Sequence, residues 1–224
     1  MSRATERHAS ERSVRIPAGG EILDGDLTIP LDAQGIVIFA HGSGSSRHSS
    51  RNRYVAGVLN DSGLATLLMD LLTMREEALD LRTAELRFDI PFLAGRVLHA
   101  TDFVQQSAGT QHLPIGYFGA STGAGAALIA AAQRPRDVHA VVSRGGRPDL
   151  AGEYLPQVEA PTLLIVGARD RAVIEMNQDA LRQMHAQVEL QIVPGATHLF
   201  EEPGTLEHAA RLARGWFETH LRAS

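Results

Sequence analysis

The sequence predicts an α/β domain in which helices cover both faces of a mostly parallel β-sheet. Short runs of apolar residues recur along the chain, and stretches with helical periodicity or a high alanine content separate them. Strands that are apolar on both faces are typical of a sheet buried between helices. Strands and helices that alternate at this spacing indicate βαβ units, because each parallel pair of strands needs a crossover connection.

The predicted strands begin with a hairpin and continue as buried runs. Residues Ser13–Pro17 and Glu21–Pro30 alternate loosely on either side of two glycines, which favours an antiparallel pair. Continuous apolar segments then predict strands at Gly35–Ala40, Leu64–Met69, Ile115–Gly119, Val138–Val142, Thr162–Val166 and Val188–Val193.

Helical patterns lie between these strands. They occur at Arg53–Asp61, Phe92–Gln106, Gly123–Gln133, Ala172–Ala186 and Leu206–Leu221. The polar stretch Thr73–Ile90 predicts a further helix and loop that flank the rim of an active site. The connection from Val142 to Thr162 is too short to hold a large helical cap over such a site.

Length, charge and cysteine content limit the class of protein. A chain of 224 residues fits one domain, predicted over residues 13–224 after a flexible polar segment at residues 1–12. The net charge of −5 disfavours nucleic-acid binding, which more often uses a basic surface. The lack of cysteine excludes disulfides, thiolate metal sites and a cysteine nucleophile. Because the sequence has neither an apolar signal segment nor a run of about 20 apolar residues, we expect a cytoplasmic protein that does not bind membranes.

A candidate nucleophile lies in the segment Gly119-Ala120-Ser121-Thr122-Gly123, which matches G-x-S-x-G. The motif directly follows a predicted strand and directly precedes a predicted helix. A nucleophilic serine needs this context, because it occupies a sharp strand-to-helix turn that only small neighbours permit. The alternative is a glycine-rich turn that packs the helix onto the sheet. We predict that Ser121 is the nucleophile.

Two partners of a catalytic serine follow in the required order, an acid and then a histidine. Asp170 comes after the strand Thr162–Val166, and His198 comes after the strand Val188–Val193. Both loops leave the carboxyl ends of strands, where open α/β sheets bind ligands. The alternatives are a helix N-cap for Asp170 and an ordinary loop position for His198. Asp70, which also follows a strand, is the alternative acid.

An oxyanion hole needs two backbone N–H groups that point at the developing negative charge. The first normally belongs to the residue after the nucleophile, here Thr122. The loop His41-Gly42-Ser43-Gly44-Ser45-Ser46 predicts Ser43 N–H as the second donor. Gly44 is the alternative donor and a candidate substrate-binding residue. This loop lacks the G-x-x-x-x-G-K-[ST] pattern of a nucleotide site, so phosphate cradling is disfavoured.

Four segments together resemble the α/β-hydrolase superfamily, most closely its compact dienelactone-hydrolase-like branch. They are HGSGSS, GASTGAG, GARD and GATHLF, and the resemblance extends from about Val14 to Leu221. It implies the single-domain α/β-hydrolase fold and hydrolysis by a catalytic triad. Dienelactone hydrolases proper carry cysteine as the nucleophile, whereas Ser121 occupies that position here. This difference favours general serine-esterase chemistry.

We therefore expect a serine hydrolase that cleaves small soluble esters through an acyl-enzyme, as a carboxylesterase, thioesterase or lactonase. No cofactor is implied, and because metal-ligand spacing is lacking, we predict no metal site. A monomer or small homo-oligomer is expected. One alternative is an α/β-hydrolase of other chemistry, a perhydrolase or C–C hydrolase. Another is a non-catalytic binding module on the same fold.

Arginines are frequent near the predicted catalytic edge. Arg144 follows the strand Val138–Val142, and three more follow the oxyanion loop, at Arg47, Arg51 and Arg53. Guanidinium binds carboxylate and phosphate groups and stays charged. Arg144 is accordingly a candidate substrate-binding residue that selects anionic esters. The alternative is an ion pair with a nearby acid, such as Asp149 or Glu153, that holds a loop.

Overall fold

One eight-stranded sheet forms the centre of the molecule. The computed structural model describes residues 10–221. It contains strands β1 (Ser10–Ala18), β2 (Glu21–Ile29), β3 (Ile36–Ala40), β4 (Ala65–Met69), β5 (Ile115–Ala120), β6 (Val138–Arg144), β7 (Thr162–Gly167) and β8 (Val188–Val193). Their order across the sheet is β1-β2-β4-β3-β5-β6-β7-β8. Strand β2 runs antiparallel to both of its neighbours, and the remaining pairs are parallel, which confirms the predicted mostly parallel sheet.

Residues 10–221 also form six α-helices. They are α1 (Ser50–Asp61), α2 (Met74–Thr83), α3 (Ile90–Gln106), α4 (Thr122–Gln133), α5 (Arg171–Gln183) and α6 (Thr205–His220). Buried residues of α3, α4 and α5 belong to one hydrophobic cluster. Buried residues of α1 and α6 belong to a second cluster. The helices therefore cover both faces of the sheet, as predicted.

Strand β3 shows why the central strands are apolar throughout. Ile36 and Ile38 pack in the first cluster, and Val37 and Phe39 pack in the second. Successive side chains of a strand point to opposite faces, so a strand between two helical layers needs apolar residues at every position.

The N-terminal hairpin begins earlier than the sequence pattern predicts. Strand β1 starts at Ser10 instead of Ser13, and its first three residues pair with Leu27–Ile29 of β2. Ser10–Arg12 are exposed polar residues, so they give no apolar signal even though their backbone is paired. Residues 1–9 of the predicted flexible segment lie outside the described residues.

The segments around the sheet's carboxyl edge are short. The connection from β6 to β7 contains only short 3₁₀ turns within Pro148–Gln157, interrupted at Gly152, so no large helical insertion is present there. The stretch Thr73–Ile90 contains α2 and a 3₁₀ helix at Leu86–Phe88, which agrees with the predicted helix and loop. Among residues 10–221, no helix is long and apolar enough to cross a membrane.

Candidate active site

The predicted catalytic residues meet at one edge of the sheet. Ser121 follows β5, Asp170 follows β7, and the loop containing His198 follows β8. These strands are parallel, so their carboxyl ends lie on the same side. Ser121 and His198 line a cavity of about 240 Å³ together with Ser43 and Arg144. A ligand in this cavity can contact all four side chains or their backbone groups.

Ser121 occupies a strained backbone conformation. Its φ is 51° and its ψ is −124°, and α4 begins at the next residue. Its N–H donates to the carbonyl oxygen of Arg144 at 3.3 Å, and its own carbonyl accepts from Ala124 N–H at 3.1 Å and Arg147 N–H at 3.0 Å. A non-glycine residue at positive φ costs on the order of 1–3 kcal/mol and persists only where its surroundings hold it. This is the turn that the G-x-S-x-G context predicts.

Two glycines allow the turn to pack tightly. A Cβ atom at Gly119 would lie 2.4 Å from the Cα of Ala124. A Cβ atom at Gly123 would lie 2.2 Å from the carbonyl oxygen of Ala40 at the end of β3. Both distances are shorter than any tolerable contact, so the start of α4 reaches the neighbouring strand only because side chains are missing here.

Asp170 and His198 form a hydrogen-bonded pair. The Nδ1 atom of His198 lies 2.6 Å from the Oδ2 atom of Asp170. Asp170 directly precedes α5, but its side chain makes no capping hydrogen bond, so the N-cap alternative does not describe its role. The carboxylate of Asp70 instead accepts from Arg47 N–H at 2.8 Å and pairs with the Arg47 guanidinium. Asp70 is thus engaged elsewhere, which favours Asp170 as the partner of the histidine.

The two backbone N–H groups predicted to bind the oxyanion differ in their hydrogen bonding. Thr122 opens α4, where backbone N–H groups lack helical partners. The Ser43 N–H already donates to Thr122 Oγ1 at 2.8 Å. An oxyanion would therefore have to displace this hydroxyl to reach the Ser43 donor. Gly44 has a φ of 70°, which suits glycine at the tip of the loop.

His41 fixes the start of the oxyanion loop. Its Nε2 atom accepts from Leu71 N–H at 3.0 Å, so the ring proton lies on Nδ1, which donates to the carbonyl oxygen of Gly42 at 2.9 Å. Burial lowers the pKa of His41 below its ordinary value of 6.5. The neutral ring thereby bridges the loops after β3 and β4, a structural role and not a proton-transfer role.

Among residues 10–221, Arg144 is a buried cation without an acidic partner. The residue is only 7% exposed. Within the same part of the chain, its side chain makes one hydrogen bond, from Nη2 to the Oδ1 atom of Asn52 at 3.3 Å. Burial, with a smaller contribution from the nearby charge of Arg51, lowers the pKa of Arg144 to about 10. Arg147 takes the carboxylate of Asp149 in a two-point ion pair, so the predicted alternative pairing of Arg144 with Asp149 is wrong.

The other arginines that follow the oxyanion loop contact acids. Arg47 pairs with Asp70, while Arg51 and Arg53 lie at longer distances from acidic side chains, 3.7 Å from Glu201 and 3.9 Å from Glu11. Of these three arginines, only Arg51 lines the cavity that contains Ser121.

Asn52 is a site residue that sequence reasoning missed. It is 2% exposed on the first turn of α1, the helix that follows the oxyanion loop. It lies on the same helix face as the buried residues Val55, Ala56 and Leu59. A lone amide on an apolar helix face, next to a catalytic loop, is the signal that could have identified it.

The arrangement of possible metal ligands is the next feature that the site offers among the described residues. Within residues 10–221, no group of three or more histidine or acidic side chains is arranged to hold a metal ion.

Comparison with known proteins assigns the chain to a family. The family model described as the dienelactone hydrolase family matches residues 23–220. A crystal structure of dienelactone hydrolase from Anabaena variabilis ATCC 29413 is 61% identical, with a TM-score of 0.94 over 96% of this chain and 99% of that chain. Est1E from Butyrivibrio proteoclasticus is 16% identical, with a TM-score of 0.78 over 92% of this chain and 98% of that chain, and shows the shared fold.

Two curated relatives carry a different name. Proteins from Mycobacterium tuberculosis strains CDC 1551 and H37Rv, both named as candidate phosphoribosyl transferases, are 57% identical over 211 residues. The match covers 94% of this chain and 47% of each relative. The chain therefore spans about half the length of the curated relatives that it matches.

Proposed function

This chain belongs to the dienelactone hydrolase family, and on that premise we propose that it hydrolyses carboxylic esters with Ser121 as the nucleophile. The observation that carries the proposal is the strained turn at Ser121, in one cavity with His198, whose ring is bonded to Asp170. Strain at a single serine, next to a paired histidine, is typical of an activated nucleophile.

The proposed reaction proceeds in two stages. Ser121 Oγ attacks the acyl carbonyl while His198 Nε2 accepts its proton, and His198 then donates that proton to the leaving alcohol. A water molecule, activated by the same nitrogen, attacks the acyl-enzyme and releases the acid and free Ser121. Asp170 keeps the ring proton on Nδ1 and stabilises the imidazolium that forms in each stage.

The developing oxyanion is proposed to bind Thr122 N–H and Ser43 N–H. In the free protein, Ser43 N–H donates to Thr122 Oγ1. This hydrogen bond must break, so that Ser43 N–H can donate to the substrate oxygen as its negative charge develops. A charged acceptor forms a stronger hydrogen bond than a neutral hydroxyl, so the exchange is favourable in the transition state.

Small soluble esters are the proposed substrates. The cavity of about 240 Å³ is small, and no helical insertion between β6 and β7 extends over it. Thioesters and lactones present the same acyl carbonyl and belong to the proposed range. The transferase name of the curated relatives applies to proteins about twice as long. The serine and histidine of the cavity, with the acid that is hydrogen-bonded to the histidine, favour acyl transfer over phosphoribosyl transfer.

The decisive experiment compares the wild-type protein with Ser121→Ala on p-nitrophenyl esters of two to eight acyl carbons. Loss of a triad serine costs on the order of 10⁶ in turnover, so we expect no rate above background. A fluorophosphonate should add one adduct to the wild-type protein, mapped to Ser121 by peptide mass. The control is Ser62→Ala at the end of α1, which should label normally.

Three results would contradict the proposal. They are residual turnover of more than a few per cent in Ser121→Ala, an adduct on another residue, or a folded wild-type protein that neither labels nor cleaves any ester. The last result would favour the non-catalytic binding module.

A further inference from the structure

A second cavity adjoins the oxyanion loop. It has a volume of about 90 Å³ and lies between the loop at residues 41–46, helix α2 and the start of α3. Its apolar wall consists of Leu71, Leu72, Leu81 and Leu93, and we call it the leucine cavity. Leu71 and Leu93 are almost fully buried, whereas Leu81 is 73% exposed and marks where the cavity meets solvent.

Three residues of the oxyanion loop border both the leucine cavity and the catalytic cavity that contains Ser121. They are Gly42, Ser43 and Ser45. Gly42 packs directly on the candidate nucleophile, because a Cβ atom added to it would lie 3.0 Å from the Cβ atom of Ser121 and 3.7 Å from its Oγ atom. Ser43 carries a proposed oxyanion donor. A carbonyl group held at this donor can therefore extend its two substituents into different cavities.

The position of the histidine determines which part of an ester each cavity receives. His198 has to donate a proton to the leaving alcohol, so this alcohol must lie within hydrogen-bonding reach of the ring. His198 lines the catalytic cavity together with Ser121. Neither of them is among the described residues that line the leucine cavity. The acyl chain, on the other side of the carbonyl carbon, is therefore directed away from the histidine and towards the leucine cavity.

The charged groups that line the leucine cavity favour a neutral chain. Asp80 is 2% exposed, and its carboxylate accepts from two backbone N–H groups and pairs with the Arg87 guanidinium. Asp70 pairs with Arg47, and Glu77 adds a further acid to the lining. An anionic chain would meet these carboxylates and a guanidinium that is already neutralised. A neutral apolar chain meets no such repulsion and covers the leucine side chains.

We propose that the leucine cavity binds the acyl chain of the substrate, and that the preferred acyl groups are short and neutral. The assignment to the acyl chain rests on the proposed function, whereas the binding of a small apolar group in the cavity does not. Water occupies roughly 30 Å³ per molecule in the liquid, so 90 Å³ holds about three groups of that size. Three carbons beyond the carbonyl make a butanoyl group.

Chain length is tested with p-nitrophenyl esters, because their leaving group is constant along the series. The acetate, butanoate, hexanoate and octanoate are compared by kcat/KM, each divided by the rate constant of its hydrolysis by hydroxide. Each methylene group that leaves water contributes about fourfold, so butanoate should exceed acetate by about tenfold or more. Hexanoate and octanoate should show no further gain, because their additional carbons do not fit into the cavity.

Two substitutions test the wall of the cavity. Leu93→Ala replaces an isobutyl group by a methyl group and enlarges the cavity, so the ratio of hexanoate to butanoate in kcat/KM should rise by about fivefold or more. If Leu93→Ala does not fold, Leu81→Ala supplies the same comparison, since the exposed Leu81 contributes little to the core. The matched control is Leu79→Ala, an exposed leucine of α2 outside the leucine cavity, which should keep the wild-type ratio.

A binding measurement separates the cavity from the proposed reaction. Crystals of the wild-type protein are pressurised with xenon, which binds apolar cavities, and the anomalous map is searched between α2 and the oxyanion loop. Equal efficiency at every chain length, or a hexanoate-to-butanoate ratio unchanged in both cavity variants, would overturn the proposal. If the wild-type protein cleaves no ester, the xenon result decides. Bound xenon in the leucine cavity then supports an apolar binding site, and its absence refutes one.

Discussion

The hydrogen bond between Asp170 and His198 provides the sharpest quantitative prediction. Asn replaces the carboxylate of Asp170 by an amide of the same shape. The amide can donate to Nδ1, which then gives up its proton and leaves Nε2 protonated. Nε2 in that form cannot accept the proton of Ser121, so the base is disabled although every heavy atom stays in place.

The expected loss in Asp170→Asn can be divided into two parts. The 2.6 Å contact is a charge-assisted hydrogen bond to a carboxylate whose side chain is 15% exposed. Such a bond contributes about 1.5–3 kcal/mol, which corresponds to roughly 10- to 150-fold in rate. The wrong tautomer raises the loss to about 10⁴ in kcat. A measured decrease of only about 100-fold would indicate that the bond is lost and the tautomer kept.

The assay is kcat for p-nitrophenyl acetate, with thermal unfolding as the check on structure. Asp170 makes no capping hydrogen bond to α5, so its replacement should leave the melting temperature within a few degrees. Asp70→Asn is the matched control, because Asp70 also follows a strand and pairs with Arg47 instead of His198. Near wild-type activity in Asp170→Asn, with a large loss in Asp70→Asn, would refute this assignment of the acid.

Two further predictions concern stability. Burial lowers the pKa of His41 in the folded protein below the 6.5 of the unfolded chain. Between these two pKa values, the unfolded chain binds more protons than the folded protein. Stability must therefore fall as pH drops below about 6.5. Urea unfolding between pH 5 and 7.5 should show the free energy of unfolding decreasing toward low pH, by at most about 1.4 kcal/mol per pH unit. This slope should be smaller in His41→Asn. Identical slopes in the two proteins would contradict the contribution of His41. Gly123→Ala should lower the free energy of unfolding by about 3 kcal/mol or more, since overpacking against backbone is poorly relieved. The control Gly57→Ala, on an exposed turn of α1 with open space around it, should raise it by about 0.5–1 kcal/mol, and equal effects of the two substitutions would argue against a tight turn.

The sequence predicted the fold well because apolar runs report directly on burial. Strands such as β3 face two helical layers, so every position must be apolar, and the pattern is visible without long-range information. The start of β1 could not be predicted in this way. Ser10–Arg12 are paired through their backbone and exposed through their side chains, and pairing of that kind leaves no hydrophobic pattern.

The candidate site was predicted where local context identifies it and missed where distant residues determine it. Ser121, Asp170 and His198 each follow a recognisable strand, and their roles stay predictions that the variants above test. The partner of Ser43 N–H is Thr122, 79 residues away, and no local pattern indicates that bond. Likewise, Asp149 could have paired with Arg144 or Arg147, and only the three-dimensional course of the chain selects Arg147.

With Ser121 as the proposed nucleophile, its positive φ sets thermal stability against catalysis at a single position. Glycine adopts this backbone region without steric cost, whereas serine bears a penalty on the order of 1 kcal/mol or more. A library of variants screened only for heat resistance would therefore enrich glycine at residue 121 and discard the hydroxyl. Under the proposed function, serine is kept at this turn for its hydroxyl, at a cost in stability that glycine would avoid.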